Sequence, residues 1–573
     1  MKYSHVLLAL LVIAMVAVAY APAPTATPFP QTAAPKPTMA PAASKTPEAT
    51  KGPEPTRVAA AAQAPAASGG TFRSAFRTGC MPGPLWTTCG HRLDGTVLQV
   101  MAALKWTADG LEPLLATKWE MSDGGKTFVF HLRQGVRWHD GHPFDADDVV
   151  FTFNTYANPA IASTWANKLQ DVVGYDEFQK GTATSLAGVK KVGPLTVRVE
   201  LKTPSPLWVQ LNQIFIVILP EHILGKVKPA ELRAHTYWLN RVGTGPFKWV
   251  EYKPDQSIEV KRNDDYFLGA PKLDRIIYQI YADIPTILNA LEKGDVDDMS
   301  FEGGGIPYTE VARFVKNPNL VTLATFDAGL PTYLQLDLQR SYFQDVRVRQ
   351  AMMYAIDRKT LIKTVLSGNP RLSNSIFPQT WTIPEGLEQY DFNPNKARQL
   401  LTDAGWDKSR KLDFVYYYND QVSKDMIVAI QQYLADVGIN IAPRYGEPAQ
   451  INAMYGDKTF EMGYFANGMG LDPALGTLLF NCGTPLSLGY CNKRADELTR
   501  LGLSSADRKV RAPYYQEISK IMNQEVPRIW LFFEVRPLAF NKRVVGLSEH
   551  WLQQPLVLFN MPVYQEIEKW YVK

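Results

Sequence analysis

The segment Trp119–Phe153, WEMSDGGKTFVFHLRQGVRWHDGHPFDADDVVFTF, leaves the backbone little choice, because it reads as a strand, two turns and a helix start in close succession. Phe128, Phe130 and Leu132 alternate with Val129 and His131, a period-2 pattern with one apolar face. Gln134-Gly135 ends that strand, and His139-Asp140-Gly141-His142-Pro143 makes a second turn, since Gly and Pro supply angles a strand does not hold. Asp145 then caps a helix predicted to begin at Ala146, with Asp147 and Asp148 in its first turn, where acids suit the helix dipole.

Four aspartates and two histidines so close together, between His139 and Asp148, invite a catalytic reading, which the spacing does not support. Gly125-Lys126-Thr127 would need a glycine five positions before Gly125 to form a phosphate loop, and that position is Glu120. His139 and His142 lack a second ligand pair at metal spacing, so no metal site and no cofactor are expected.

The segment resembles the signature of the family 5 extracytoplasmic solute-binding proteins of ABC importers, "DG-x-TF-x-F-x-LR-x-GV-x-W-HDG-x-PF-x-A-DDV-x-F", almost complete from Asp123 to Phe151. The likeness continues along the chain. Leu114–Trp119 is similar to the family's "P-x-LA-x-x-W", Gly243–Phe247 to its "GTGPF" turn and Gly294–Asp297 to its "G-x-VD". The string VRQAMMYAIDR after Asp345 and Val544-Val545-Gly546 near the end are similar to two more of its strings. The resemblance implies an α/β chain in a large two-lobed periplasmic-binding-protein fold of type II kind. It would have mixed sheets, an extra subdomain in the first lobe and a hinge between lobes.

Periodicity fits an α/β body. Helices are expected from Asp283 to Gly294, after the Asp345 cap, after Asn393-Pro394 and along Met426–Val437, the last stopped at Gly438. Strands are expected at Leu195–Leu201, Leu334–Asp337, Ile439–Tyr445 and Ile529–Phe533. With the family topology this gives lobe I over residues 69–328, including the extra subdomain at about 119–220, lobe II over 329–533, and a return to lobe I over 534–573.

Ahead of that body, residues 1–21 hold Lys2 and an apolar run from Val6 to Ala19 ending in a small-residue cleavage pattern, a signal peptide or N-terminal anchor. Residues 22–68 are rich in Pro, Ala and Thr and cannot bury enough apolar surface to offset ordering, so a disordered tether is expected. No cysteine precedes Cys80, which argues against lipid attachment near the signal. An extracytoplasmic protein is expected, secreted or tethered to the outer face of the cytoplasmic membrane. In that setting Cys80, Cys89, Cys482 and Cys491, locally paired, read as two disulfides. The second resembles a loop disulfide of dipeptide-binding family members.

A net charge of +4 without clustered Lys and Arg gives no nucleic-acid surface. No nucleophile elbow, His-Glu-x-x-His, P-loop or dinucleotide fingerprint occurs, so an enzyme is not expected, and without repeats a displayed structural protein has little support. The resemblance implies a monomer that takes a peptide-like solute and serves a permease and its ATPase, with an oligosaccharide or a nickel chelate as alternatives.

It also points to ligand-binding positions. Dipeptide-binding members hold the peptide ammonium with an aspartate in "GW-x-GD-x-x-DP". The corresponding stretch here, Gly463–Pro473, keeps Tyr464 and Asp472-Pro473 but has Asn467 at the acid's place and two extra residues. Either Asn467 replaces the anchor or Asp472 has moved into it. The family's carboxylate-binding arginine falls within Tyr416–Gln421, which has none, leaving Tyr418, Asn419 and Gln421. Gly90 and His91 match a first-lobe loop that touches ligand.

Overall fold

The structure is a computed structural model that describes residues 69–77, 96–104, 111–163, 165–212, 216–299, 305–457, 459–466, 472–547, 556–557 and 566–573. The leader, the Pro-rich segment, Cys80, Cys89, Gly90, His91 and Asn467 lie outside these residues.

The signature segment folds as its pattern dictates. Thr127–Leu132 buries Phe128, Phe130 and Leu132 and leaves Val129 and His131 half-buried. It is a central strand of a four-stranded antiparallel sheet, between Ala116–Ser122 and Thr196–Glu200, with Val189–Gly193 at the far edge. The helix runs Ala146–Ala157, and Asp145 and Asp148 form a capping box at its start. Asp148 is buried and accepts from Trp138 Nε1 at 3.0 Å and from the Glu221 amide at 2.9 Å, so it ties turn, helix and a later segment together.

His139 is used the same way. Its Nδ1 accepts from the Gly243 amide at 3.2 Å, and its Nε2 bonds the Gly245 carbonyl at 2.9 Å. The Gly243–Phe247 turn is thereby pinned to the signature. Both glycines are needed for close approach, since a Cβ on Gly243 would lie 1.8 Å from the Val97 carbonyl oxygen and one on Gly245 2.5 Å from that of Thr96.

Among the described residues, the main sheet has twelve strands. Ten lie on its central path: β1 Thr71–Arg77, β2 Phe247–Lys253, β3 Ser257–Arg262, β4 Arg275–Tyr281, β5 Asp298–Met299, β6 Leu320–Leu336, β7 Lys411–Tyr416, β8 Asn440–Tyr445, β9 Met462–Ala466 and β10 Arg528–Asn541. Their spatial order is β8-β7-β9-β6-β10-β5-β1-β4-β3-β2. The long antiparallel pair β6 and β10 runs through the middle, and everything else pairs to one half of it or the other.

Midway, the pair is interrupted. Phe326 pairs with Val535 and Pro331 with Phe533, so residues 327–330 of β6 face Glu534 alone on β10. Such a bulge bends the bulged strand and loosens the local ladder. The sequence shows only the outer pieces of these strands, Leu334–Asp337 and Ile529–Phe533. Gly329 and Pro331 in one, and Glu534 and Pro537 in the other, break the apolar pattern, and the structure carries the strands straight through them.

Separate cores lie on the two sides. One joins Phe72, Phe130, Trp138, Trp208, Ile276, Phe540 and Trp570; another joins Leu334, Met352, Phe414, Ile430, Tyr464, Ile518 and Trp530. Leu207 and Leu211, flanking Trp208, belong to the second. The expected helices occur as Ile284–Lys293, Val346–Ala355, Pro394–Asp403 and Gln421–Ala435, capped by Asp283, Asp345, Asn393 and Asp420.

Cys482 and Cys491 are bonded, with Cα atoms 4.3 Å apart. Closing a loop this short restricts the unfolded chain by about 2–3 kcal/mol. Reduction is expected to lower the melting temperature by about 2–3 °C in a chain this long. Calorimetry of a Cys482→Ser, Cys491→Ser variant checks this, and loss of folding would show that the bridge carries much more.

Candidate functional site

In an open α/β sheet, ligands sit outside the carboxyl ends of parallel strands. Here two such groups of ends meet. β1 and β5 are parallel, and β5 pairs antiparallel to β10 with Met299 opposite Ala539, so both point toward the bulge from one side. β7 and β9 are parallel, and Ala466 lies opposite Thr332, so they point toward it from the other. Residues 78–95, 300–304 and 467–471, which follow three of these ends, lie outside the described residues.

What stands at the ends is tyrosine. The Tyr417 hydroxyl donates to that of Tyr418 at 3.0 Å, and their ring centroids are 4.4 Å apart. Tyr418 meets Tyr464 edge to face at 5.8 Å, and Tyr417 lies 5.9 Å from Phe465. Tyr308 donates to the Val535 carbonyl at 2.7 Å, which fastens another ring to β10. Burial pushes the phenols of Tyr417, Tyr418 and Tyr464 above their ordinary pKa, and the negative charge of Glu534 adds to all three. They are neutral donors at any physiological pH.

Asp472 is placed differently. It is buried, and its two carboxylate oxygens are taken by Arg511 Nη1 at 2.8 Å and Nη2 at 2.5 Å. The Ala474 amide donates to it at 2.9 Å, and Gln210 Nε2 reaches it at 3.1 Å from the helix Trp208–Asn212. Burial works against the Arg511 charge, and the Asp472 carboxylate outweighs it, holding the guanidinium above its usual pKa. A carboxylate gripped in a bidentate buried pair is not poised to receive a ligand's ammonium. This geometry speaks against the expectation that Asp472 moved into the anchor role.

Of the residues expected to bind ligand, the structure brings Tyr418 and Tyr464 together. Asn419 and Gln421 are exposed, and Gln421 bonds Asp425 along its own helix. Asn467, Gly90 and His91 lie outside the described residues. Among the described residues, no group of three or more His, Cys, Asp and Glu could hold a metal ion.

Arg511 and Glu534 were not on the expected list, and each had a signal. Arg511 falls on the same helical stripe as the buried Tyr515, Ile518 and Met522, and a cation there calls for a buried partner. Glu534 interrupts the apolar run Ile529–Val535.

The family model of the bacterial extracellular solute-binding proteins, family 5 Middle, matches residues 110–484. The chain belongs to the bacterial extracellular solute-binding proteins of family 5. The family 5 chain is 27% identical to the oligopeptide-binding protein AppA of Bacillus subtilis over 471 residues, 78% of this chain and 81% of that one. It is 29% identical to the dipeptide-binding protein of Escherichia coli over 444 residues, 73% and 80% of the two chains. Its fold matches the ABC transporter substrate-binding protein CtaP of Listeria monocytogenes with a TM-score of 0.74 at 24% identity, covering 88% of this chain and all of the other. The fold is thus the two-lobed one of periplasmic binding proteins. Among the described residues, no helix is long and apolar enough to cross a membrane.

Proposed function

We propose that this family 5 protein captures a peptide between its lobes and delivers it to the permease and ATPase of an ABC importer. The observation that carries the reading is the convergence of strand ends from both halves of the sheet on one bulge, where Tyr417, Tyr418 and Tyr464 cluster. Relatives named for oligopeptide and dipeptide binding favour a peptide ligand. The lobes are 69–328 with 534–573, and 329–533; the hinge is the bulge at 327–330 and Glu534, and closure bends β6 and β10 there. The role is binding, with no chemical step. Residues 1–21 act as a signal peptide or N-terminal anchor, and residues 22–68 as a spacer, so that the body is secreted or tethered to the outer face of the cytoplasmic membrane.

Ligand is expected to shrink the radius of gyration in small-angle scattering and to raise the melting temperature with the logarithm of its concentration. Dipeptides bind more weakly than longer peptides, because Asn467 lacks the acid's charge. Asn467→Asp strengthens binding of dipeptides by roughly 10-fold, the gain from a charge-assisted bond in a desolvated cleft. Absence of compaction with peptides, oligosaccharides and metal chelates alike would refute capture by closure.

A further inference from the structure

Among the described residues, the donors to Asp472 come from both halves of the chain. Oδ1 accepts from Arg511 Nη2 and the Ala474 amide, and Oδ2 accepts from Arg511 Nη1 at 2.8 Å. A further bond to Oδ2 comes from Gln210 Nε2 at 3.1 Å, on the helix Trp208–Asn212 of the first lobe. We propose that this helix is the latch of the closed state: Gln210 clasps the Asp472–Arg511 pair across the cleft while Leu207 and Leu211 seat in the second core. This rests on the capture reading above and names the residues that hold the captured state.

The helix is divided between two cores. Trp208 and Val209 are buried in the first, with the Trp208 ring centroid 5.5 Å from that of Phe128 and 6.5 Å from that of Phe153. Leu207 and Leu211 are buried in the second, whose other buried members all come from residues 333–532. Positions 207, 210 and 211 stand at i, i+3 and i+4, so Gln210 shares a face with the two leucines. The helix has a firm base. The Ser205 amide donates to the Gly125 carbonyl at 3.0 Å, and a Cβ on Gly125 would lie 2.6 Å from the Pro206 nitrogen. A glycine of the signature turn thus braces the latch from the first lobe.

The receiving side does not depend on the helix for its shape. Arg511 holds both oxygens of Asp472, so the carboxylate is oriented by its own lobe and offers Oδ2 to an incoming donor. An amide donating to a charged carboxylate makes a stronger bond than one between neutral groups, and two leucines leaving water add to it. All of these contacts join protein to protein. Their contribution is therefore the same whatever the sequence or terminus of the peptide enclosed, and it is lost when the lobes part.

The test uses the full chain with random tetrapeptides, free or acetylated at the amino terminus, and reads apparent Kd together with association and dissociation rates by stopped flow. Gln210→Ala is expected to weaken both pools by the same factor, roughly 10-fold, through faster dissociation, with association changed less than about 2-fold. Gln210→Glu sets a carboxylate against Asp472 and should weaken both pools by roughly 100-fold. With Arg511→Met and Asp472→Leu together the seat is gone, so adding Gln210→Ala should change Kd by less than about 2-fold. Weakening of one pool alone would mean that Gln210 touches the ligand, and slower association with unchanged dissociation that it shapes the open cleft; either overturns the latch. Unchanged Kd in both Gln210 variants, with wild type still compacting on peptide, overturns the latch and leaves capture standing. A wild type that neither binds nor compacts with either pool overturns both.

Discussion

Arg511→Met is expected to lower the free energy of unfolding by about 3–5 kcal/mol, because it strands the buried carboxylate of Asp472 without its partner. Both groups are almost fully enclosed, and Arg511 also bonds the Gly502 carbonyl and the Tyr515 hydroxyl, so the guanidinium joins three pieces of the second core. Adding Asp472→Leu to Arg511→Met should restore most of the loss, since replacing a buried pair by apolar groups of similar size is often close to neutral. Urea unfolding of the single and double variants measures this. A loss under about 1 kcal/mol in the single variant would mean that Asp472 does not depend on Arg511, and the case against it as a ligand anchor would collapse.

The second large effect is a pH dependence centred on His139. Burial brings its imidazole down to about 4 from the ordinary 6.5. Geometry demands the same, because Nδ1 cannot accept from the Gly243 amide and hold a proton at once. In the unfolded chain the ring takes its proton near its ordinary value, so the unfolded state binds more protons between pH 6.5 and 4. The contribution of His139 is therefore complete above pH 6.5 and is lost progressively as pH falls toward 4. Between pH 7.5 and 4.5 the loss is about 2 kcal/mol once the ring's exposed edge is allowed for. His139→Gln, which has no titrating group, should be flatter than wild type by that amount. A proton resonance of His139 titrating above pH 6 in the folded protein would sink the prediction.

Sequence patterning revealed most of what is regular. The alternation of Phe128, Phe130 and Leu132 and the caps at Asp145, Asp283, Asp345 and Asn393 are all local, needing only a few neighbours to define them. The bulge was hidden because its residues look like strand breakers; only pairing across some 200 positions makes β6 and β10 continuous. The site was partly legible for a related reason. Tyr418 and Tyr464 follow from neighbouring strands, whereas the fate of Asp472 is decided by Arg511 and Gln210, distant in sequence and joined to it only by folding.

Because β6 and β10 belong to both halves of one hydrogen-bonded sheet, this protein is not two modules on a string. Excising residues 329–533 would cut both strands and leave raw backbone edges on each product, templates for self-association. Lobe swapping between relatives should therefore succeed only when the two long strands travel as a matched pair. The same sharing makes denaturation of one half felt by the other through the ladder they hold in common, so the natural unit of inheritance and of engineering here is the whole sheet.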